Sequence, residues 1–362
     1  MNDKSNQISP FLVSFLIIKI QIGVGVLGFQ RIIIQTAGND AWMAVIISGA
    51  IFALGIGGMY NVLNRHDMDL IGIQKQLFGK WLGGLLNIVW ILYWMMLGIS
   101  VFRSYLEIVQ SWVFPQINTW LVTSIFALLI YYVVSGGFRV ITGICFLGVI
   151  IPSYLILTFY FPLEYTNFRN LLPIWNHSFK DIALASKTMS YSYLGVSTLM
   201  MYYPLVKHRK SSQKWAQLGN LTSVLVYLCL TILTIGYYSE AQVSRYIWAT
   251  LSFWGIVQMP FVERFEYIGI VTWVLVLIPA VCLYIWVSAR GLSQYFNKIK
   301  FKKIMALLLI LFVVITNLIK GREMINQITD YISNIGLIIE IPYVLFLACL
   351  STIMSKIRKI RK

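Results

Sequence analysis

Ten apolar runs, each close to the thickness of a lipid bilayer, constrain this chain more than any other feature. A helix needs about 20 consecutive apolar residues to cross the hydrocarbon core. Runs of that kind lie at about 11–34, 41–62, 83–109, 119–136, 140–161, 182–205, 218–238, 267–290, 304–320 and 336–355. The segments between them are too short to fold as separate soluble domains. Only 12% of the 362 residues are charged, 59% are hydrophobic, and mean hydropathy is +0.76. Soluble domains are about 25% charged, so a soluble enzyme is disfavoured at once. Disorder is excluded because it requires low hydrophobicity. The expectation is an all-α integral membrane protein forming one membrane domain over 1–362. The first run does not read as a cleavable signal peptide, because it is long, follows the neutral segment Asn2–Pro10 and leads directly into a second span.

Net charge is +16, from 29 Lys+Arg against 13 Asp+Glu. In a soluble chain this would suggest nucleic acid. Here the bases sit in short loops, so the partner they imply is the lipid bilayer and no nucleic acid is expected. One side of the ten-span layout takes 19 of them. These are Lys4, Arg65, Lys75, Lys80, Arg139, Lys207, Arg209, Lys210, Lys214, Arg290, Lys298, Lys300, Lys302, Lys303, Lys356, Arg358, Lys359, Arg361 and Lys362. The other side takes 9, namely Arg31, Arg103, Arg169, Lys180, Lys187, Arg245, Arg264, Lys320 and Arg322. This asymmetry places both termini in the cytoplasm. Cys145, Cys229, Cys282 and Cys349 are scattered through apolar runs and read as buried thiols, without disulfide or metal spacing.

Two connections exceed a turn. Residues 63–82, with Ile71, Ile73, Leu77 and Phe78 among polar neighbours, read as an amphipathic helix on the cytoplasmic surface. Residues 239–266 carry Tyr246, Trp248, Phe253, Trp254 and Phe265, and read as helical pieces on the outer surface, available to a protein partner.

Irregular backbone survives inside a membrane only where protein buries it or where it lines a cavity. The first run holds Ile22-Gly23-Val24-Gly25-Val26-Leu27-Gly28, and the sixth holds Leu194-Gly195-Val196-Ser197-Thr198-Leu199. Each pattern permits either local unwinding or close helix packing. Gly-Val-Gly-Val-Leu at 23–27 resembles Gly-Val-Ser-Thr-Leu at 195–199, five spans later. An odd separation reverses direction across the membrane. A five-plus-five inverted repeat follows, one half about 11–161 and the other about 182–355, with freed amides and carbonyls at the midplane.

Three pieces carry a family resemblance: Ile20-Gln21-Ile22-Gly23-Val24-Gly25-Val26-Leu27, Ala37-Gly38-Asn39-Asp40-Ala41-Trp42, and Phe261-Val262-Glu263-Arg264-Phe265-Glu266 followed by Trp273. Together with the length and ten-span layout, they resemble the B subunits of GerA-type spore germinant receptors. These are the spore germination permeases of the amino acid–polyamine–organocation superfamily. The resemblance implies a LeuT-like fold with helices 1 and 6 broken, in the inner membrane of a bacterial spore. It also implies an A-type membrane subunit and a C-type lipoprotein as partners, and a small nutrient, usually an amino acid, as ligand. Many relatives carry an acid just after the glycine of the sixth span, where this chain has Val196 and Ser197.

The expected ligand-binding residues are Ile22, Gly23, Val24, Gly25, Tyr93, Tyr191, Leu194, Gly195 and Ser197. The helix after Gly25 would direct its amides at a ligand carboxylate. Gly25→Leu is expected to abolish the response and Gly28→Ala to be milder. Lys19, one turn before the glycines, either holds a positive charge beside the site or extends along the helix to the interface. Tyr93, Trp94, Tyr191 and Tyr193 are candidates to wall a small pocket. Arg103 and Glu107, four apart, are expected to pair. Glu263, Arg264 and Glu266 read as a helix start or subunit contact. His66, His177 and His208 fall in predicted loops without metal spacing. Neither cofactor nor metal is expected, and no catalytic motif is present. A proton- or sodium-coupled amino-acid permease is the alternative to a receptor subunit.

Overall fold

Glycine and proline positions decide where these apolar runs stay straight and where they break. The computed structural model describes residues 6–260, 262–296 and 299–360, with side chains to 354. Lys4, Phe261, Lys298, Arg361 and Lys362 lie outside the described residues, and the side chains of Lys356, Arg358 and Lys359 are not described. All described secondary structure is helical apart from two isolated bridges. The order is α1 Leu12–Gln21, α2 Phe29–Ala37, α3 Ala41–His66, α4 Leu70–Trp112, α5 Thr119–Ser135, α6 Phe138–Ile150 and α7 Tyr160–Leu163. Then follow α8 Phe179–Ser190, α9 Leu199–Tyr202, α10 Ser212–Tyr237, α11 Glu240–Arg245, α12 Ala249–Trp254, α13 Phe265–Ser293, α14 Phe301–Leu318, α15 Arg322–Glu340 and α16 Pro342–Ile360.

Seven helical stretches among the described residues are long and apolar enough to cross a membrane, making this a multi-pass membrane protein. The expected first, fourth and sixth spans are not among them. The first divides into α1 and α2, the sixth into α8 and α9, and α5 has only 17 residues. The last expected span, 336–355, is displaced. Its helix begins at Arg322 and turns at Ile341, before Pro342 opens α16. Proline suits a first helical turn because its missing N–H is not needed there.

The surface helix expected at 63–82 is present. Asp69 caps α4 by accepting from the Gly72 amide at 3.1 Å. Gly79 then adopts φ 76° and separates the first turns from the long apolar stretch. Ile71 and Ile73 are buried; Leu77 and Phe78 are half-buried.

α13 packs along α4, while α1 and α3 flank α10. Pro279 inside α13 removes the amide that would bond the Leu275 carbonyl. Gly148 of α6 abuts that freed carbonyl, and any side chain there would collide with it.

Side-chain bonds join the elements at one end of the molecule. The Tyr203 hydroxyl donates to Asn64 at 2.7 Å, Tyr60 bonds Ser212 at 2.7 Å, and Arg209 pairs with Asp67. At the opposite end, buried Asp40 accepts from the amides of Trp175, Asn176 and His177 at 2.7, 2.6 and 2.9 Å. This gives the Asn39-Asp40 piece a structural role: it gathers the 164–178 loop onto the start of α3.

The segment 239–266 does form helices, and three of its five named aromatics point inward. Phe253, Trp254 and Phe265 are buried, and Trp254 packs on Gly269 and Trp273 of α13. Burying an aromatic gains more than exposing it to a solvated face, so these three serve the core of the chain, while Tyr246 and Met259 of the same segment stay exposed. Arg264 bonds Glu266 at 2.7 Å and covers the Tyr267 ring. Cys145 and Cys282 are buried as expected, whereas Cys229 and Cys349 are exposed on the helix surface.

Candidate functional site

The first broken segment unwinds without left-handed backbone. α1 ends at Gln21, Ile22 adopts φ −93°, ψ 87°, and Gly23 adopts φ −122°, ψ −146°. A tight 3₁₀ turn spans Val24–Leu27 before α2 begins. Gly23 N–H has no backbone acceptor among the described residues, and Val24 and Gly25 open the 3₁₀ turn, where first amides have no partner within the helix. The carbonyls on either side are satisfied by side chains: the Tyr227 hydroxyl donates to Gln21 O at 2.6 Å, and Thr250 to Val26 O at 2.7 Å. Gln30 in turn donates to Thr250 at 2.6 Å. This is how irregular backbone is tolerated inside an apolar body.

The glycines here provide space, not a special φ. A side chain on Gly23 would meet nothing within 4 Å, and Gly25 faces Ser192 Oγ at 3.2 Å. Gly28 differs from expectation, since its Cβ would lie 2.6 Å from the Ile247 carbonyl oxygen. The freedom from a left-handed requirement at Gly25 also removes one reason expected for its intolerance.

The second broken segment does need glycine. Leu194 is extended and Gly195 sits at φ 96°, with the Tyr284 hydroxyl and Ile20 where a Cβ would be. Its freed donors converge on Glu340, the last residue of α15. Glu340 Oε1 accepts from the Gly195 amide at 2.7 Å, the Ser197 hydroxyl at 2.8 Å and the Tyr93 hydroxyl at 2.9 Å. Oε2 accepts only from the Ser197 amide, at 3.4 Å. The Trp94 indole N–H donates to Ser197 Oγ at 3.0 Å. Glu340 has no exposed surface, and no ion pair to it occurs among the described residues.

The expected residues therefore divide in two. Ile22, Gly23, Val24 and Tyr191 are partly exposed and Gly25 is exposed; the Tyr191 hydroxyl donates to Asn334 of α15 at 3.0 Å. Tyr93, Leu194, Gly195 and Ser197 are buried, with Tyr93, Gly195 and Ser197 bonded directly to Glu340. Glu340 was the residue the sequence reading missed. The signal was available, because an acid inside an apolar run is a functional pointer by default. Its partners on α4 and at the second break were not legible.

Lys19 does not extend to the interface. It is buried, and its amine donates to the Gly148 carbonyl of α6 at 2.6 Å. Arg103 and Glu107 do not pair with one another. Arg103 donates to the Ile319 carbonyl at 2.8 Å, and Glu107 pairs with Arg322 at 3.8 Å. Ile319 just after α14 and Arg322 at the start of α15 supply these groups, which proximity along α4 could not reveal. A separate cavity of about 390 Å³, lined by Asn39, Asn170, Asn176, Tyr238 and Glu240, lies at the Asp40 end and not at the breaks. No group of three potential metal ligands occurs among the described residues.

Two broken helices, each with freed backbone groups in the body of a helical membrane protein, define a transporter-type fold. The solved structure of MhsT in complex with L-phenylalanine matches it with a TM-score of 0.64, covering 94% of this chain and 88% of MhsT at 12% identity. That establishes the LeuT fold. The chain belongs to the spore germination protein family, whose family model matches residues 7–325. It is 40% identical to spore germination protein GerQB of Bacillus cereus over 98% of both chains. It is 25% identical to spore germination protein A2 of Bacillus subtilis (strain 168), covering 76% of this chain and 77% of that protein. Family membership supports a germinant-receptor or permease-like role and gives no indication of an enzyme.

Proposed function

We propose that this chain is the nutrient-sensing subunit of a spore germinant receptor. It binds a small ligand, of the amino-acid class, between the two broken segments. Ile22, Gly23, Val24, Gly25 and Tyr191 form the accessible side, and Tyr93, Leu194, Gly195 and Ser197 the buried side. The observation that carries this reading is the open space over Gly23 beside its own amide and the first amides of the 3₁₀ turn. Unpaired amides and available volume together suit a small carboxylate. Lys19 supplies a positive charge near the same break. The bound L-phenylalanine of MhsT, on the same fold, supports the ligand class.

The receptor sits in the spore inner membrane with both termini cytoplasmic, as the 19-to-9 distribution of bases argues. Its fold is built as the five-plus-five inverted repeat read from the sequence. Ligand shifts an equilibrium between two states for which its affinity differs, and an A-type membrane subunit and a C-type lipoprotein carry the signal. Deleting the A-subunit gene should lower the level of this protein and remove the nutrient response. Spores that keep both would refute assembly into a receptor, and uphill amino-acid uptake by the purified chain would establish a permease instead.

A further inference from the structure

The Glu340 carboxylate is surrounded by donors yet incompletely used. Tyr93 O–H, Gly195 N–H and Ser197 O–H all fall on Oε1. The Ser197 hydroxyl oxygen already accepts from Trp94, which directs its proton to Glu340. Each described hydrogen bond to Glu340 is donated by its neighbour, an arrangement that serves a carboxylate acceptor. Oε2 receives one long bond, 3.4 Å from the Ser197 amide. A buried anion without a cation is costly, and removing that cost is what a positively charged ligand group would do.

The face of α15 that carries Glu340 includes small residues. Ser333, Gly336 and Glu340 form one buried stripe of α15, at spacings of three and four. Gly336 has no side chain, and Tyr93 and Leu194 occupy that space. Two turns toward the Asp40 end, Asn334 of the same helix meets Tyr191 on the accessible side. The two halves of the site thus share α15.

We infer that Glu340 is the cation-recognising group of the ligand site, its Oε2 accepting from the ammonium of an amine-bearing ligand. This rests on the ligand-site reading above and adds its charge requirement: carboxylate at the Gly23–Gly25 amides, ammonium at Glu340. Because the carboxylate has no exposed surface, this assignment requires side chains around Glu340 to move on binding. The shared chemistry is a monovalent cation, and sodium is the competing source.

The test uses the full chain in lipid nanodiscs, with thermal unfolding as readout. Probes are the twenty amino acids, their decarboxylated amines, and sodium chloride against N-methylglucamine chloride. At least one amine-bearing probe should stabilise the parent, with apparent affinity falling tenfold or more in Glu340→Gln. Without ligand, Glu340→Gln should be at least as stable as the parent, because it keeps an acceptor and removes an unpaired charge. A variant that fails to accumulate or melts well below the parent makes Glu340 a structural keystone and overturns the inference. So does a parent indifferent to every amine, or stabilised through Glu340 by sodium alone. A chain that binds amines through Glu340 but leaves spore germination unaffected would refute the receptor reading and leave this one standing.

Discussion

The amine of Lys19 donates to the carbonyl of Gly148 at 2.6 Å, joining α1 to α6 across 129 positions of sequence. A charged donor to a neutral acceptor contributes about 1.5–3 kcal/mol, against the desolvation of the ammonium. Lys19→Met loses both terms and should accumulate near the parent level. Lys19→Glu places an acceptor against an acceptor and leaves a buried unpaired charge, at a cost of about 3–5 kcal/mol. Blotting of membranes and thermal unfolding in detergent would check this; a Lys19→Glu protein as abundant as the parent would show that the side chain is not buried.

The three glycines of the first break should separate by what surrounds them. Gly25→Leu meets Ser192 at its Cβ and fills the accessible space beyond, so it should abolish the nutrient response at near-normal abundance. Gly23→Ala meets nothing and has an ordinary φ, so abundance should be unchanged. Gly28→Ala presses on the Ile247 carbonyl and should destabilise by about 1–3 kcal/mol, as overpacking does. A normal dose–response curve from stable Gly25→Leu protein would remove the site from this break.

Gly195→Ala should be the least tolerated single change at the second break. It combines φ 96° with collision against the Tyr284 hydroxyl. Backbone strain of about 1–3 kcal/mol adds to the overpacking cost. Removing the hydroxyl with Tyr284→Phe should recover part of the loss, and the double mutant's unfolding temperature measures it. No recovery would mean that strain alone accounts for the defect.

Asp40→Ala should loosen the 164–178 loop. Three amide bonds to a buried carboxylate are lost together, at about 1–3 kcal/mol for each donor left without a partner and inaccessible to water. Amide hydrogen exchange at 175–177 should rise before exchange in α3 does. Equal protection in both proteins would show that the loop is held by other contacts.

Orientation is testable at two exposed positions, Asn170 and Lys210. In a cysteine-free background, an impermeant thiol reagent should label cysteine at 170 and not at 210. The reverse pattern would invert the topology.

Some of this protein is dictated by local sequence alone. Runs of apolar residues must become helices in lipid, since no water is present to satisfy the backbone. The three glycines of 22–28 and the single Gly195 of 194–199 marked both breaks, because glycine lets the chain leave a helix at low cost. The ambiguity at Lys19 was a matter of depth, which a one-dimensional pattern does not contain. Its resolution lay in Gly148, whose missing side chain and neighbouring Pro279 make room on another helix. Glu340 shows the same limit more sharply. Its sequence neighbourhood announces a buried acid but not the donors it collects, which come from positions 143 to 247 residues away. The burial of Phe253, Trp254 and Phe265 and the exchange of Glu107 from Arg103 to Arg322 follow that rule too. Periodicity and hydropathy act along the chain and set which segments are helical. Which polar groups meet depends on how helices pack, and only the tertiary structure holds that information.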